Sequence, residues 1–225
     1  MVDVMLRRAR RRERAAREQM ASAAREYAAM GWPVCQGAHP LAGTARAHAG
    51  ARACSCDRVG CPAPGAHPVS PAWQMQATED PAVAEEWWSA VPENNVILVT
   101  GRVFDVLDVP VTAGLEALSQ MERAGTPPGP VALGPDERAL FFVATRGAPG
   151  MQDEWWSCHL DCVPDDMTET AGLRWHCRNS YVLAPPSRHG VGLVARWLYP
   201  PDSRPLPDAL RLLEYLADAS EETPR

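Results

Sequence analysis

The chain has 225 residues, 46% hydrophobic and 22% charged, with a formal net charge of −6. Those are ordinary proportions for a soluble globular protein, and the length suits one large domain or two small ones around a buried core. No stretch approaches the roughly 20 apolar residues of a membrane span, and no apolar run of a secretory signal follows the basic N-terminus, so a soluble, cytoplasmic protein with no membrane contact is expected.

The first predicted element is a basic helix over residues 1–30, with Ala16, Met20, Ala23 and Tyr27 as its apolar stripe. Residues 1–26 hold eight arginines against four acids, a balance of +4 that leaves −10 for the rest of the chain. Overall acidity excludes a wholly basic nucleic-acid binder and leaves this arm as the candidate phosphate-contacting patch, unless the arginines simply solvate a helix end. All 22 basic residues are arginine, the side chain suited to a two-pronged grip on phosphate or carboxylate.

Trp32-Pro33-Val34-Cys35 reads as a short strand. Residues 37–72 are rich in Gly, Ala, Pro, Cys and His and lack periodicity, a loop so long that something must fix it. Asp80-Pro81 signals an N-cap and a first helical turn, followed by Val83, Trp87 and Trp88. Val96–Val99 and Val103–Val109 read as strands joined by Thr100-Gly101-Arg102. Thr112 opens a helix with Leu115, Leu118 and Met121 on one side. Pro130–Leu133 and Ala139–Ala144 form a hairpin. A helix near Gln152–Cys158 precedes three strands at Leu173–Cys177, Tyr181–Ala184 and Leu193–Leu198, and Pro207–Ala219 closes the chain as an amphipathic helix through Leu210, Leu213 and Leu216. Strands and helices in this order predict an α+β sheet domain over residues 31–200, with a C-terminal helix and tail over 201–225.

Two clusters carry chemistry. Cys54, Cys56, Cys61 and His67 read as C-x-C-x4-C-x5-H over residues 50–70. Four sulfur or nitrogen ligands on a turn-rich segment are how structural zinc is held, and the metal would supply folding energy that the loop lacks. The alternative is a set of free thiols. Cys35 with His39, and Cys158 with His159 and Cys162, are weaker pairs that fit buried free thiols better. The second cluster is the strand Phe104–Pro110. Side chains two apart share a face, so Asp108 and position 110 could chelate one divalent metal, but position 110 is Pro. Asp105 lies at an odd offset from Asp108 and turns the other way.

These residues carry a resemblance. Tyr27–Val34, Cys54-Ser55-Cys56 through Cys61 to Gly65-Ala66-His67-Pro68, Trp87-Trp88, Pro92–Val96, Thr100-Gly101 and Tyr181–Ser187 are together similar to bifunctional DNA primase/polymerases of the archaeo-eukaryotic primase superfamily, over roughly residues 20–200. The resemblance implies an RRM-like mixed sheet with packed helices. It also implies Mg²⁺- or Mn²⁺-dependent nucleotidyl transfer by a strand pair of acids, a histidine on a neighbouring strand and a later acid. Carried over, the first acid falls on Asp108 and the second on Pro110. The histidine falls on Ala139, and the later acid and arginine near Arg174 and His176. The family's lysine in Gly-Lys-His-Pro falls on Ala66. The expectation is therefore a catalytically degenerate domain with a vestigial Asp108 paired to Arg174. It would bind DNA or nucleotide through Arg138, Arg174, Arg178 and Arg188, or serve as a regulatory partner in replication or repair. Two alternatives stay open: an active enzyme with relocated ligands (Asp105, Asp108 and His176), and a protein-interaction scaffold using its tryptophans, of which Trp87-Trp88 and Trp155-Trp156 read first as packing residues.

Overall fold

The computed structural model describes residues 2–41, 53–56, 58, 60–145, 172–189 and 193–222. It is a mixed α+β arrangement of helices and antiparallel sheets. The chain forms two compact units, residues 1–98 with 186–193 and residues 99–185 with 194–225. The expected helix near Gln152–Cys158, Trp155-Trp156 and the Cys158, His159 and Cys162 group lie outside the described residues. So do the side chains of most of the N-terminal arginine run.

In the first unit α1 (Val2–Ala29) buries Met20, Ala24, Tyr27 and Ala28. Steps of four, three and one keep these on one stripe. The expected stripe ran through Ala23; the buried one runs through Ala24. β1 (Val34–Gly37) follows, then the single-turn α2 (Trp73–Gln76) and α3 (Pro81–Ala90), on which α1 packs. α3 opens as the sequence predicts: Asp80 accepts from the Ala82 N–H at 2.8 Å, and Pro81 occupies the first turn, where no N–H is needed. Trp88 is fully buried and donates its indole N–H to the Asn94 carbonyl at 2.7 Å. That bond ties α3 to the start of β2 (Asn95–Val99), whose residues 95–98 pair antiparallel with β1. The excursion after β1 is fastened at both ends. Leu41 N–H bonds the Ala53 carbonyl and Ser55 N–H the His39 carbonyl, while Ala38 and Val69 N–H bond the carbonyls of His67 and Gln36.

The second unit is organised by β3 (Phe104–Pro110) and α4 (Val111–Arg123). Further along the chain come β4 (Val131–Leu133), β5 (Arg138–Ala144), β6 (Arg174–His176), β7 (Tyr181–Leu183), β8 (Arg188–His189, in the first unit), β9 (Leu193–Val194) and β10 (Arg196–Tyr199), before α5 (Ala209–Glu222). The sheet runs β10-β4-β5-β3-β6, with every neighbour antiparallel. Leu107 and Val109 of β3, Ala139, Phe141 and Val143 of β5 and Trp175 of β6 form one core with Ala113, Ala117 and Met121 of α4 and Leu212 and Leu216 of α5. Each large aliphatic side chain there contributes roughly 1.5–3 kcal/mol by burial. The intervening residues point to the other face. There Phe142 sits between Phe104 and Trp197, with ring centroids 5.3 and 5.1 Å away, and Asp108, Arg138, Arg174 and His176 lie beside them by strand alternation.

Two helix stripes differ from expectation. In α4 the buried positions are Ala113, Gly114, Ala117 and Met121, and Leu115 is 51% exposed. Small residues let this helix lie close to β5: a Cβ on Gly114 would press on the Ala139 Cβ. In α5 the stripe is Ala209, Leu212, Leu216 and Ala219, with Leu210 exposed. Asp208 fixes that phase by capping the N–H groups of Leu210 and Arg211 at 3.0 and 3.3 Å.

Gly101 holds a left-handed φ of +78° where Thr100 bonds the turn after β6, its N–H to the Ser180 carbonyl and its hydroxyl to the Cys177 carbonyl. A Cβ there would overlap the Arg178 backbone. Gly101→Ala combines left-handed strain with backbone overlap and is expected to cost about 2–4 kcal/mol in urea unfolding; a loss under 0.5 kcal/mol would contradict this packing.

Candidate functional site

The polar residues of the second unit converge on Asp108. β3 and β5 pair with Pro110 opposite Arg138 and Asp108 opposite Leu140; β3 and β6 pair with Asp108 opposite Arg174 and Val106 opposite His176. Arg138 and His176 are thus diagonal neighbours of Asp108 on one face, within reach of long side chains. Arg138 Nε donates to Asp108 Oδ1 at 2.6 Å, and its Nη2 donates to the carbonyls of Asp108 and Gly172 at 3.0 and 2.8 Å. His176 Nε2 meets Asp108 Oδ2 at 3.1 Å, and its Nδ1 lies 3.0 Å from Ser180 Oγ. A carboxylate only accepts, so with a neutral ring Nε2 carries the proton and the Ser180 hydroxyl donates to Nδ1.

Both carboxylate oxygens of Asp108 are therefore occupied, in a cluster where its side chain is 6% and that of Arg138 9% exposed. Burial pushes the Asp108 carboxyl pKa up. The hydrogen bond and charge of His176, and then the charge of Arg138, outweigh it and hold the group below the ordinary carboxylate range. The partner expected for Asp108 was Arg174. That residue lies across from it in register, but the ion pair is made by Arg138, whose side chain reaches diagonally past Pro110.

Asp105 does not join them. It faces the helices and accepts the Trp175 indole N–H at 3.2 Å, as strand alternation requires. Ala139 is also on the helix side, opposite Val109. The position carried over for the histidine is therefore one residue out of phase with Asp108, and Arg138 and Leu140 hold that face of β5. With Pro110 lacking ligand atoms, Asp105 turned away and Asp108 spent on a guanidinium, these residues do not fit a divalent-metal centre. Arg178 is exposed on the turn after β6.

The first unit holds the cysteine-histidine cluster. The ligand atoms of Cys54, Cys56, Cys61 and His67 lie within 4.8 Å of one another. His67 Nε2 is 3.5 Å from Cys54 Sγ and 3.4 Å from Cys61 Sγ. Zinc–sulfur bonds of about 2.3 Å and zinc–nitrogen bonds of about 2.0–2.1 Å at tetrahedral angles give an edge of about 3.5 Å. The His67 Nδ1 makes a 2.8 Å bond to the Pro68 carbonyl, which leaves Nε2 for the sulfurs, and the Gly65 N–H donates to Cys54 Sγ at 3.4 Å. The group fits a metal ion such as zinc. Burial pushes the Cys61 thiol up to about 11. Burial also raises Cys56, but the Arg58 backbone and the neighbouring thiols and His67 outweigh it and draw that thiol down to about 7. Cys35 is buried in β1 and the His39 ring bonds Asn94, so neither belongs to the cluster.

Arg188 also belongs to the first unit. Asn95 holds its backbone, accepting from its N–H at 3.0 Å and donating to its carbonyl at 2.6 Å. Sequence reading missed Asn95 and Ser180, polar residues whose partners are distant strands or a local turn.

Among the described residues no helix is long and apolar enough to cross a membrane. No curated protein matches the chain significantly. The family described as bifunctional DNA primase/polymerase, N-terminal, matches residues 24–209, which takes in both the cysteine-histidine loop and the Asp108 strand, and the chain belongs to that family.

Proposed function

We propose that this chain is a primase–polymerase-like domain that binds nucleic acid or nucleotide, or acts as a regulatory partner in replication or repair, and no longer transfers nucleotides. Its fold on this reading is the archaeo-eukaryotic primase fold with an RRM-like sheet, and the cysteine-histidine cluster is a structural zinc site.

The observation that carries the reading is the Arg138–Asp108–His176 cluster, which sits where the family resemblance places a metal-holding acid. Divalent metals in nucleotidyl transfer align the attacking hydroxyl and neutralise charge developing on the α-phosphate, and they need carboxylates free to ligate. A guanidinium 2.6 Å from the single remaining carboxylate supplies the compensating positive charge itself and repels a second cation. Arg174 and Arg178 stay as phosphate-contact candidates; Arg138 is committed internally.

Primer extension with Mg²⁺ or Mn²⁺ tests the reading. The expected result is no incorporation above a protein-free control. Incorporation that disappears in Asp108→Ala would establish an active enzyme instead.

A further inference from the structure

Arg188 is the arginine that the structure prepares without using. Its neighbour Ser187 is fully buried, and its hydroxyl accepts from the Val96 N–H at 2.8 Å and lies 3.1 Å from the Val96 carbonyl. Asn95 is fully buried too. Besides gripping the Arg188 backbone, its Nδ2 donates to the Gly65 carbonyl at 2.7 Å. The backbone of Arg188 is therefore tied both to β2 and to the loop between Cys61 and His67. Gly65 permits that close approach: it has φ +84°, and a Cβ there would lie 2.9 Å from the Arg188 carbonyl oxygen.

The side chain is treated differently. Arg188 is only half-buried, yet its Nε is enclosed and finds no acceptor among the described residues. An enclosed charged donor without a partner is costly and is tolerated where a ligand completes it. Asp108 has Arg138, and Glu93 has Arg17 at 2.7 Å; among the described residues Arg188 has no such carboxylate. An arginine with a fixed backbone and an uncommitted fork suits a two-pronged hold on a phosphate.

We propose that Arg188 is a phosphate-anchoring residue, positioned by Asn95 against the cysteine-histidine loop, for a nucleic-acid backbone or the phosphate chain of a nucleotide. This rests on the binding reading above and moves the principal anion contact away from the old acid strand.

The test compares the intact protein with its Arg188→Gln and Arg188→Lys variants, using a labelled single-stranded DNA oligonucleotide and inorganic tripolyphosphate as probes. The expected result is about a tenfold weaker Kd for Arg188→Gln, with Arg188→Lys between the two. For the oligonucleotide, the slope of log affinity against log salt should fall by about 0.7, one single-strand phosphate contact. Loss on the oligonucleotide alone identifies a nucleic-acid backbone, and loss on tripolyphosphate alone a nucleotide's phosphates; either supports the anchor. An unchanged Kd for a folded Arg188→Gln, with the intact protein binding, overturns the anchor and leaves the binding reading standing. No binding of either probe by the intact protein overturns both.

Discussion

Arg138→Met is expected to lower the stability of the second unit by about 3–5 kcal/mol, because it leaves the Asp108 carboxylate buried without its guanidinium. Much of that loss comes from stranding a charge, so Asp108→Leu combined with Arg138→Met should be far less damaging than Arg138→Met alone. Urea unfolding of the two single variants and the double variant gives the coupling directly, provided the slope with denaturant is unchanged. An exposed pair sets the scale. Arg14 and Glu18 meet at 2.8 Å with side chains 82% and 64% exposed, and Arg14→Ala should leave stability nearly unchanged. The separations are similar; desolvation makes the difference. Equal costs for the two arginines, or strict additivity in the Asp108–Arg138 cycle, would dismantle the proposed cluster.

The same cluster fixes a pH dependence. The Asp108 pKa is lower in the folded protein than the ordinary carboxylate value, near 3.9 in an unfolded chain. Its contribution is therefore complete above that value and is lost as pH falls through the folded pKa. The intact protein should lose stability below about pH 4, and Asp108→Leu with Arg138→Met should show a shallower acid limb.

Much of this arrangement was legible in the sequence. Period-two alternation separates Asp105 from Asp108 without any structure, and Asp80-Pro81 marks the start of α3 because capping is local chemistry. The Cys54, Cys56, Cys61 and His67 set could be read for the same reason, since its ligands are close in sequence. The partner of Asp108 was not legible. Choosing Arg138 over Arg174 depends on strand register and on a diagonal reach past Pro110, which no local pattern encodes. On α4 and α5 the expected Met121 and Leu216 are core and Leu118 and Leu213 pack against it, but size stood in for burial at one position each: Leu115 and Leu210 are exposed, while Ala113, Gly114 and Ala117 pack. Ala139, on which the histidine was carried over, faces the helices and not Asp108, because in a strand one residue exchanges the faces.

Removing metal from the cysteine-histidine loop is expected to have the other large effect. The described residues of 53–69 bring few large apolar side chains to a core, and apart from a local Ala66–Ala63 turn their described backbone–backbone bonds run to residues 36–41 at the ends of the loop. Between those ends the described cross-links are the sulfurs and ring of Cys54, Cys56, Cys61 and His67 and the Asn95 bond to the Gly65 carbonyl. The intact protein should carry one zinc per chain by elemental analysis. Free zinc at about a thousand times its Kd contributes about 4 kcal/mol, and for a chain of this size each kcal/mol moves Tm by about 2–4 °C, so a strong chelator should lower Tm by roughly 8–16 °C. Cys61→Ser should reproduce the loss of both metal and stability. Cys35→Ser should keep the metal, since that thiol lies in β1 outside the cluster. Because thiolates must shed protons to bind, and Cys61 in particular is pushed up to about 11, zinc retention should weaken as pH falls. A protein purified without metal whose Tm matches the zinc-loaded form would show that the loop is held by its backbone bonds alone.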